Sequence, residues 1–257
     1  MSEDPPAPHR SQARGGPLQE GRSSTSPARG GPLQEGRSGD LTLPARGLLF
    51  DNDGVLVDSD AAVTASWSRW ATEHGLVPAE VVAVVHGRRA ADTVAALLPA
   101  ERRAVASALI DRFELEDAGT VPAVPGAAGL LAALPSSVWA VVTSGTPALA
   151  TARLAAAGLP LPGVLVTGHD VRTGKPDPEG YLLGARLLGV PPEETVVVED
   201  SPPGVAAGRA AGARVLGVGQ RALGSGADLV VGDLTGVSWA DGVLTVAAGS
   251  VLRARTP

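Results

Sequence analysis

The sequence contains no cysteine, so neither disulfide bonds nor thiolate metal ligands are available to it. It has no apolar run near the roughly 18 residues of a membrane span, and its N-terminus lacks the apolar core of a signal peptide. A net charge of −6 argues against nucleic acid or an anionic membrane as partner. We therefore expect a cytoplasmic protein with a small-molecule partner, and we favour a monomer.

Lysine is almost absent too. Of the 21 basic residues, Lys175 is the only lysine and the others are arginine. Arginine presents a planar fork of donors, whereas lysine presents a compact ammonium. The single lysine lies in the polar loop 172–178 of a chain that otherwise uses arginine. This pattern indicates that an ammonium is required at that position. Chance is the alternative explanation.

The N-terminal segment 1–44 differs in composition from the rest of the 257 residues, being rich in Pro, Gly, Ser and Arg and poor in large apolar residues. Such a segment buries too little apolar surface to offset its ordering, so we predict a disordered tail. Residues 11–23 recur with small changes as residues 26–38. Two polar copies are too few for a solenoid, which indicates a tandem duplication. A short linear motif is the alternative.

The chain after residue 44 has the pattern of an α/β protein. Short, nearly continuous apolar runs alternate with helical patterns, which predicts a parallel sheet buried on both faces, a Rossmann-like core. The predicted strands are 48–50, 138–142, 164–167, 195–198 and 215–218, with weaker ones at 229–231 and 243–246. The predicted helices are 127–134, 151–157, 181–188 and 204–211.

Three of these strands end in polar side chains, which we expect to meet because parallel strands place their carboxyl ends at one edge of the sheet. Two carboxylates one residue apart repel each other unless one is protonated or a cation lies between them. An acidic loop that caps the helix starting near Ser59 or Asp60 is the simpler alternative for the first strand end. The polar strand ends are Asp51 and Asp53, Thr143 and Ser144, and Glu199 and Asp200.

A helical block separates the first strand from the rest. Segment 61–121 shows several short amphipathic patterns and no strand signal, which predicts an inserted α-helical cap. Trp67 and Trp70 recur at helical spacing and are predicted to pack inside it. The cationic stretch from His86 through Gly87 and Arg88 to Arg89 lies between two apolar helices. We interpret it as a loop reaching an anionic substrate, the alternative being a solvated helix start.

Taken together, these residues resemble the four motifs of the haloacid dehalogenase superfamily. The resemblance covers the chain from about Gly47 onward. The sequence around and between the motifs most resembles that of bacterial sugar (hexitol) phosphatases and of yeast glycerol-3-phosphate and 2-deoxyglucose-6-phosphate phosphatases. Asn52 departs from the pattern, since many relatives carry an apolar residue there. The motifs are Asp51-Asn52-Asp53-Gly54, Thr143-Ser144-Gly145, Lys175-Pro176 and Glu199-Asp200-Ser201.

The resemblance implies a Rossmann-like core, residues 45–60 and 122–257, with the helical cap 61–121 inserted. It also implies a Mg²⁺-dependent phosphoric monoester hydrolase acting on sugar or polyol phosphates through an aspartyl-phosphate. Asp51 would be the nucleophile and Asp53 the general acid and base. Other implied roles are metal binding by Asp51, Asp53, Glu199 and Asp200, phosphate binding by Thr143, Ser144, Gly145 and Lys175, and substrate specificity from His86, Gly87, Arg88 and Arg89.

Two alternatives remain open at this level. A sugar phosphomutase uses the same scaffold, but its cap must exclude water and bind a second phosphate. A non-catalytic metabolite-binding protein would also keep the fold, although the presence of every motif position argues against it.

Overall fold

The computed structural model describes residues 33–36 and 39–254, and among these a seven-stranded sheet forms the centre of the molecule. Its strand order is β11-β8-β7-β6-β3-β4-β5, parallel except for β11, which runs antiparallel to β8. The predicted α/β class with a parallel core sheet is confirmed. The strands are β3 Gly47–Phe50, β4 Trp139–Val142, β5 Leu165–Val166, β6 Thr195–Glu199, β7 Arg214–Val218, β8 Leu229–Val231 and β11 Val251–Ala254.

The middle of the sheet is apolar on both faces, which explains why its strands read as continuous apolar runs in the sequence. Every residue of β3, β4 and β6 is buried. Separate hydrophobic clusters cover the two faces of the sheet, one containing Phe50 and the other Leu49. The helices of this core are α5 Ala127–Ala133, α6 Pro147–Ala156, α7 Glu179–Leu188 and α8 Pro202–Ala210.

A second, antiparallel sheet corrects the prediction of a disordered tail. Its order is β1-β2-β10-β9, formed by Gln34–Glu35, Leu41–Pro44, Val243–Val246 and Val237–Ala240. Leu43 is fully buried and belongs to the hydrophobic cluster on one face of the main sheet. The tail prediction is therefore wrong for residues 34–35 and 41–44, because the apolar pair Leu41 and Leu43 suffices to add a strand to an existing sheet, and β1 pairs with that strand. Residues 1–32, 37 and 38 of the predicted tail, including most of the duplication, lie outside the described residues.

Four helices follow β3 and form their own hydrophobic cluster. They are α1 Asp60–Glu73, α2 Pro78–Val85, α3 Ala90–Leu97 and α4 Ala100–Glu116. Trp67 and Trp70 both lie in this cluster, with ring centroids 5.2 Å apart, and the indole of Trp70 donates a 2.9 Å hydrogen bond to the carbonyl of Ala106. No helix within the described residues is long and apolar enough to cross a membrane.

Candidate active site

The polar ends of three strands converge at one edge of the main sheet. Because β3 pairs with β4 on one side and with β6 on the other, Asp51, Thr143 and Glu199 follow or end adjacent strands. The helical block lies over this edge, and a partly open cavity of about 230 Å³ is lined by residues of both parts. The predicted convergence of the strand ends is confirmed.

Lys175 lies at the bottom of the site. Its ammonium donates hydrogen bonds to Asp51 Oδ1 at 2.9 Å and to Glu199 Oε1 at 2.7 Å, and all three side chains are almost fully buried. Burial opposes the charged form of Lys175, but Asp51 and Glu199 outweigh this effect and raise its pKa well above the usual value. The lone lysine is therefore a charged ammonium between two carboxylates.

Glu199 is engaged on both carboxylate oxygens. Besides Lys175, the hydroxyl of Tyr181 donates to Oε1 at 2.9 Å, and the amide and hydroxyl of Ser201 both donate to Oε2 at 2.9 Å. A carboxylate held by this many donors is fixed in place. In this arrangement Glu199 orients Lys175.

Asp51 and Asp200 differ from Glu199 because each keeps one oxygen that accepts no hydrogen bond from a described residue. Burial raises the pKa of Asp51 well above its usual value, and Glu199 and Asp200 add to the rise while Lys175 opposes it. Burial and Glu199 likewise raise the pKa of Asp200 to about 7, against the effect of Arg221. Adjacent buried carboxylates with raised pKa values favour a cation between them.

Asp53 is held from the opposite side by a buried arginine. Arg153 of α6, 1% exposed, donates a 2.7 Å hydrogen bond to Asp53 Oδ1, and its Nη2 lies 3.6 Å from Glu114 Oε1 of α4. Burial raises the pKa of Glu114 to about 7, although Arg153 opposes the rise. Arg153 thus connects the Asp53 carboxylate to the cap.

Arg221 makes a second connection between the core and the cap. It donates two hydrogen bonds of 2.7 Å to Asp60 at the start of α1, and it reaches Asp200 Oδ2 at 2.6 Å. Gly54 permits this approach: its φ is 76°, and a Cβ there would overlap Asp200 Oδ2. The turn after Asp53 therefore requires glycine for both its conformation and its contacts.

The end of β4 forms a tight polar turn. Thr143 Oγ1 accepts a 3.0 Å hydrogen bond from the Gly145 amide, so Thr143 supports the turn. Ser144 Oγ donates at 3.0 Å to the carbonyl of Gly87, a residue of the cap loop. Gly87 has a φ of 74°, and a Cβ there would overlap Ser201 Oγ. The loop thus lies directly on two of the predicted motifs.

The remaining residues of the cap loop have different environments. Arg89 is committed to Asp92 by hydrogen bonds of 2.7 and 2.8 Å, and to the Val171 carbonyl at 3.1 Å. His86 lies 4.0 Å from Asp60, and burial together with Arg221 lowers its pKa. Arg88 lines the cavity, and its guanidinium forms no hydrogen bond or ion pair within the described part of the chain. Of these side chains, Arg88 alone is free to meet a ligand without breaking a contact.

The sequence of residues 45–212 matches a family model described as haloacid dehalogenase-like hydrolase. The chain belongs to that family. It is 48% identical to hexitol phosphatase A of Escherichia coli, over 67% of this chain and 82% of the relative. It is 36% identical to glycerol-1-phosphate phosphohydrolase 2 of Saccharomyces cerevisiae, over 69% of this chain and 76% of the relative. The crystal structure of a hydrolase from Pseudomonas syringae is similar, with a TM-score of 0.68, 26% identity and coverage of 74% and 94%.

The donor set of this haloacid dehalogenase-like hydrolase fits a hard divalent cation. One oxygen each from Asp51, Glu199 and Asp200 lie within 4.8 Å of one another, and the three residues are buried. Oxygen-only ligands are those that Mg²⁺ and Ca²⁺ prefer. The unused oxygens of Asp51 and Asp200 suit direct contact, whereas the oxygens of Glu199 are already engaged by its donors.

Sequence reasoning missed four charged residues of the site, Arg153, Arg221, Asp111 and Glu114. Arg153 falls in a run of Ala and Leu inside a predicted helix, and a lone charge on a buried helix face is the one signal that indicated a partner. Arg221 follows no recognisable motif. Glu114 lies in a helix with many charges, where the pattern does not separate inward from outward positions.

Proposed function

We propose that the protein is a Mg²⁺-dependent phosphatase that hydrolyses small sugar or polyol phosphate monoesters through an aspartyl-phosphate on Asp51. The supporting observation is the convergence of Asp51, Ser144 and Lys175 beneath a cap that leaves a partly open cavity for the alcohol part of the ester. The names of the relatives, a hexitol phosphatase and a glycerol phosphate phosphohydrolase, support the same substrate class.

The first half-reaction is the transfer of the phosphoryl group to Asp51. The free oxygen of Asp51 attacks phosphorus while Asp53 protonates the departing sugar or polyol oxygen. Positive charge must surround the phosphoryl oxygens, because a carboxylate and a phosphate dianion repel each other. The ammonium of Lys175, the Ser144 hydroxyl and the Gly145 amide would donate to those oxygens, the last two in exchange for their present contacts with Gly87 and Thr143.

The second half-reaction returns the enzyme to its starting state. Asp53, now ionised, takes a proton from water, which attacks the phosphorus of the aspartyl-phosphate and releases inorganic phosphate. Arg153 holds Oδ1 of Asp53 and so leaves the other oxygen for proton transfer. The same carboxylate therefore serves as acid and then as base.

Mg²⁺ would be held by Asp51 and Asp200, by the backbone carbonyl of Asp53, and by Glu199 through water. When bound, the ion neutralises the carboxylate cluster and the transferring phosphoryl group. The Arg221 contact to Asp200 uses the other oxygen of that carboxylate, so it is compatible with this ligand set.

A panel of phosphate esters scored by released phosphate tests the proposal. Hexitol, glycerol and deoxyhexose monophosphates should be hydrolysed in Mg²⁺, together with a small aryl phosphate. The Asp51→Asn protein, purified in parallel, measures contaminating phosphatase. If none of the esters releases phosphate, not even the aryl phosphate, the proposal is overturned.

A further inference from the structure

One wall of the cavity is made by a single face of α4 that no sequence motif marked. Ser107, Asp111 and Glu114 line the cavity, and their spacing of four and three residues places them on one side of the helix. We refer to these three residues as the cap-side wall. The wall consists of a hydroxyl and two carboxylates, so it presents acceptors and negative charge to whatever fills the cavity.

The wall matters because most other charges in the cavity are already paired. Asp51 is paired with Lys175, Asp53 with Arg153, and both Asp60 and Asp200 with Arg221. Of the wall carboxylates, Asp111 takes part in no salt bridge within the described residues, and Glu114 has only the 3.6 Å approach of Arg153. On the α4 side a ligand therefore meets two carboxylates, whereas the Arg88 guanidinium of the same cavity, unpaired in the described part of the chain, belongs to the cap loop.

Glu114 and Arg153 also form an incomplete polar pair. Arg153 is 1% exposed, and its Nε and Nη2 have no hydrogen-bond partner among the described residues. The 3.6 Å separation from Glu114 is too long for a direct hydrogen bond. Since burial raises the pKa of Glu114 to about 7, this carboxyl exchanges a proton near neutrality and can both donate and accept. A buried pair of this kind suits a ligand group that both donates and accepts hydrogen bonds.

We infer that the cap-side wall selects esters whose alcohol part is uncharged and hydroxylated, and rejects those that carry a second anionic group. This inference rests on the proposed phosphatase function and names the substrate class of the same cavity. A hydroxyl donates to a carboxylate and accepts from a neighbouring donor. A carboxylate or a second phosphate only accepts, and it meets the charge of Asp111 and, when ionised, that of the buried Glu114.

Two matched substrate pairs test the inference. Glycerol 3-phosphate and 3-phosphoglycerate share a skeleton and differ in a terminal hydroxymethyl or carboxylate group, and a hexitol 6-phosphate compares similarly with the hexitol 1,6-bisphosphate. For the unaltered protein, kcat/KM should favour the uncharged member of each pair by about a hundredfold or more. In the double variant Asp111→Asn with Glu114→Gln, this ratio should shrink by at least about tenfold, chiefly through a lower KM for the anionic member.

Glu116→Gln is the matched control, since Glu116 lies on the same helix, pairs with Arg69 and Arg112, and does not line the cavity. It should leave both ratios unchanged. Aryl phosphate turnover in each variant reports an intact phosphate site. If circular dichroism shows that the double variant is unfolded, Asp111→Asn alone is judged by the same ratio, because Asp111 is exposed and forms no hydrogen bond or salt bridge within the described residues.

The outcomes separate the inference from the proposed function. A protein that releases no phosphate even from the aryl ester fails as a phosphatase. Active protein that hydrolyses both members of each pair equally well overturns the inference alone. So does a folded double variant that keeps the unaltered ratio.

Discussion

Arg153 donates a 2.7 Å hydrogen bond to Asp53 although the two residues are 100 positions apart in the chain. The guanidinium is 1% exposed and also approaches Glu114 of the cap, so a single buried cation faces two carboxylates from different parts of the fold. Arg153 is bonded directly to Asp53, and at Glu114 the cost of burial exceeds the attraction of Arg153, so ionising Glu114 lowers stability. The electrostatic state of Glu114 is therefore part of the stability of the whole arrangement.

Glu114 should make stability depend on pH. Its pKa of about 7 in the folded protein exceeds the ordinary value of 4.5, so the folded state holds the proton more tightly. The stability from this group is fully present below about pH 4.5 and is lost as pH rises through about 7. In chemical unfolding without added metal, the free energy of unfolding of Glu114→Gln should rise relative to that of the unaltered protein as the pH increases from about 4.5 to above 7. The difference should reach up to about 3 kcal/mol. Glu116→Gln is the control, and parallel curves for all three proteins would contradict the prediction.

Asp51→Asn should abolish turnover and leave the protein folded. The change is nearly isosteric, and it removes a nucleophile and one charge from a repulsive cluster. Phosphate release should fall below about a thousandth of the unaltered rate, while the melting temperature stays the same or rises. Asp58→Asn, at an exposed position a few residues away, should keep full activity. Substantial turnover by Asp51→Asn would refute the nucleophile assignment.

Removal of metal should abolish phosphatase activity. If Asp51 and Asp200 share a cation, EDTA should stop phosphate release and Mg²⁺ should restore it, whereas Ca²⁺ should inhibit because it imposes a larger, looser shell. Binding relieves repulsion in the folded state only, so Mg²⁺ should also raise the melting temperature. That rise should be smaller in Asp200→Asn. Full activity after dialysis against EDTA is the contrary result.

Arg88 and Arg89 should separate substrate binding from cap attachment. Arg88→Ala should lower kcat/KM for the best sugar phosphate by about tenfold to several hundredfold, as expected for one lost charged contact, and change aryl phosphate turnover much less. Arg89→Ala breaks the contacts to Asp92 and Val171, so it should affect both substrates and lower the melting temperature. If Arg88→Ala lowers kcat/KM equally for the sugar phosphate and the aryl phosphate, Arg88 does not determine specificity.

Leu43 should contribute to stability in spite of its place beside a polar segment. It is fully buried, so Leu43→Ala should lower the free energy of unfolding by about 2–4 kcal/mol. Leu161→Ala, at a side chain that is 60% exposed, provides the control and should change it little. The measurement is denaturant unfolding of both variants. A negligible loss for Leu43→Ala would show that the second sheet adds little to the fold.

The sequence was sufficient for the six parallel strands of the main sheet and for the polar strand ends because both are local signals, but it assigned 243–246 to that sheet and missed β11. Apolar runs such as those of β3 and β6 mark strands buried on two faces, and a carboxylate that stops such a run marks the edge where sites form. The order of the strands then brings Asp51 between Thr143 and Glu199 without further information.

The misses share a different physical origin. Arg153 and Arg221 find their partners across 100 and 161 residues of sequence, and no periodicity reports such distances. Arg89 lines the cavity, but the sequence does not show that its guanidinium also pairs with Asp92 of the cap and donates to the Val171 carbonyl of the core. Strand β2 was missed because its few apolar residues gain their burial from a sheet made elsewhere.

The pairing of β2 with β10 joins segments from opposite ends of the described chain, and this sets an order on folding. Leu43 lies opposite Leu244, so this part of the sheet cannot form until nearly the whole protein has been synthesised. The strand that carries Asp51 is released earlier, but it is flanked by β4 and β6 and must also wait for both. Contacts of such long range slow folding, since the chain entropy of closing the loop is lost before the contacts form. Asp51 therefore acquires its surroundings late, after the cap helices, whose contacts are local, have had time to form.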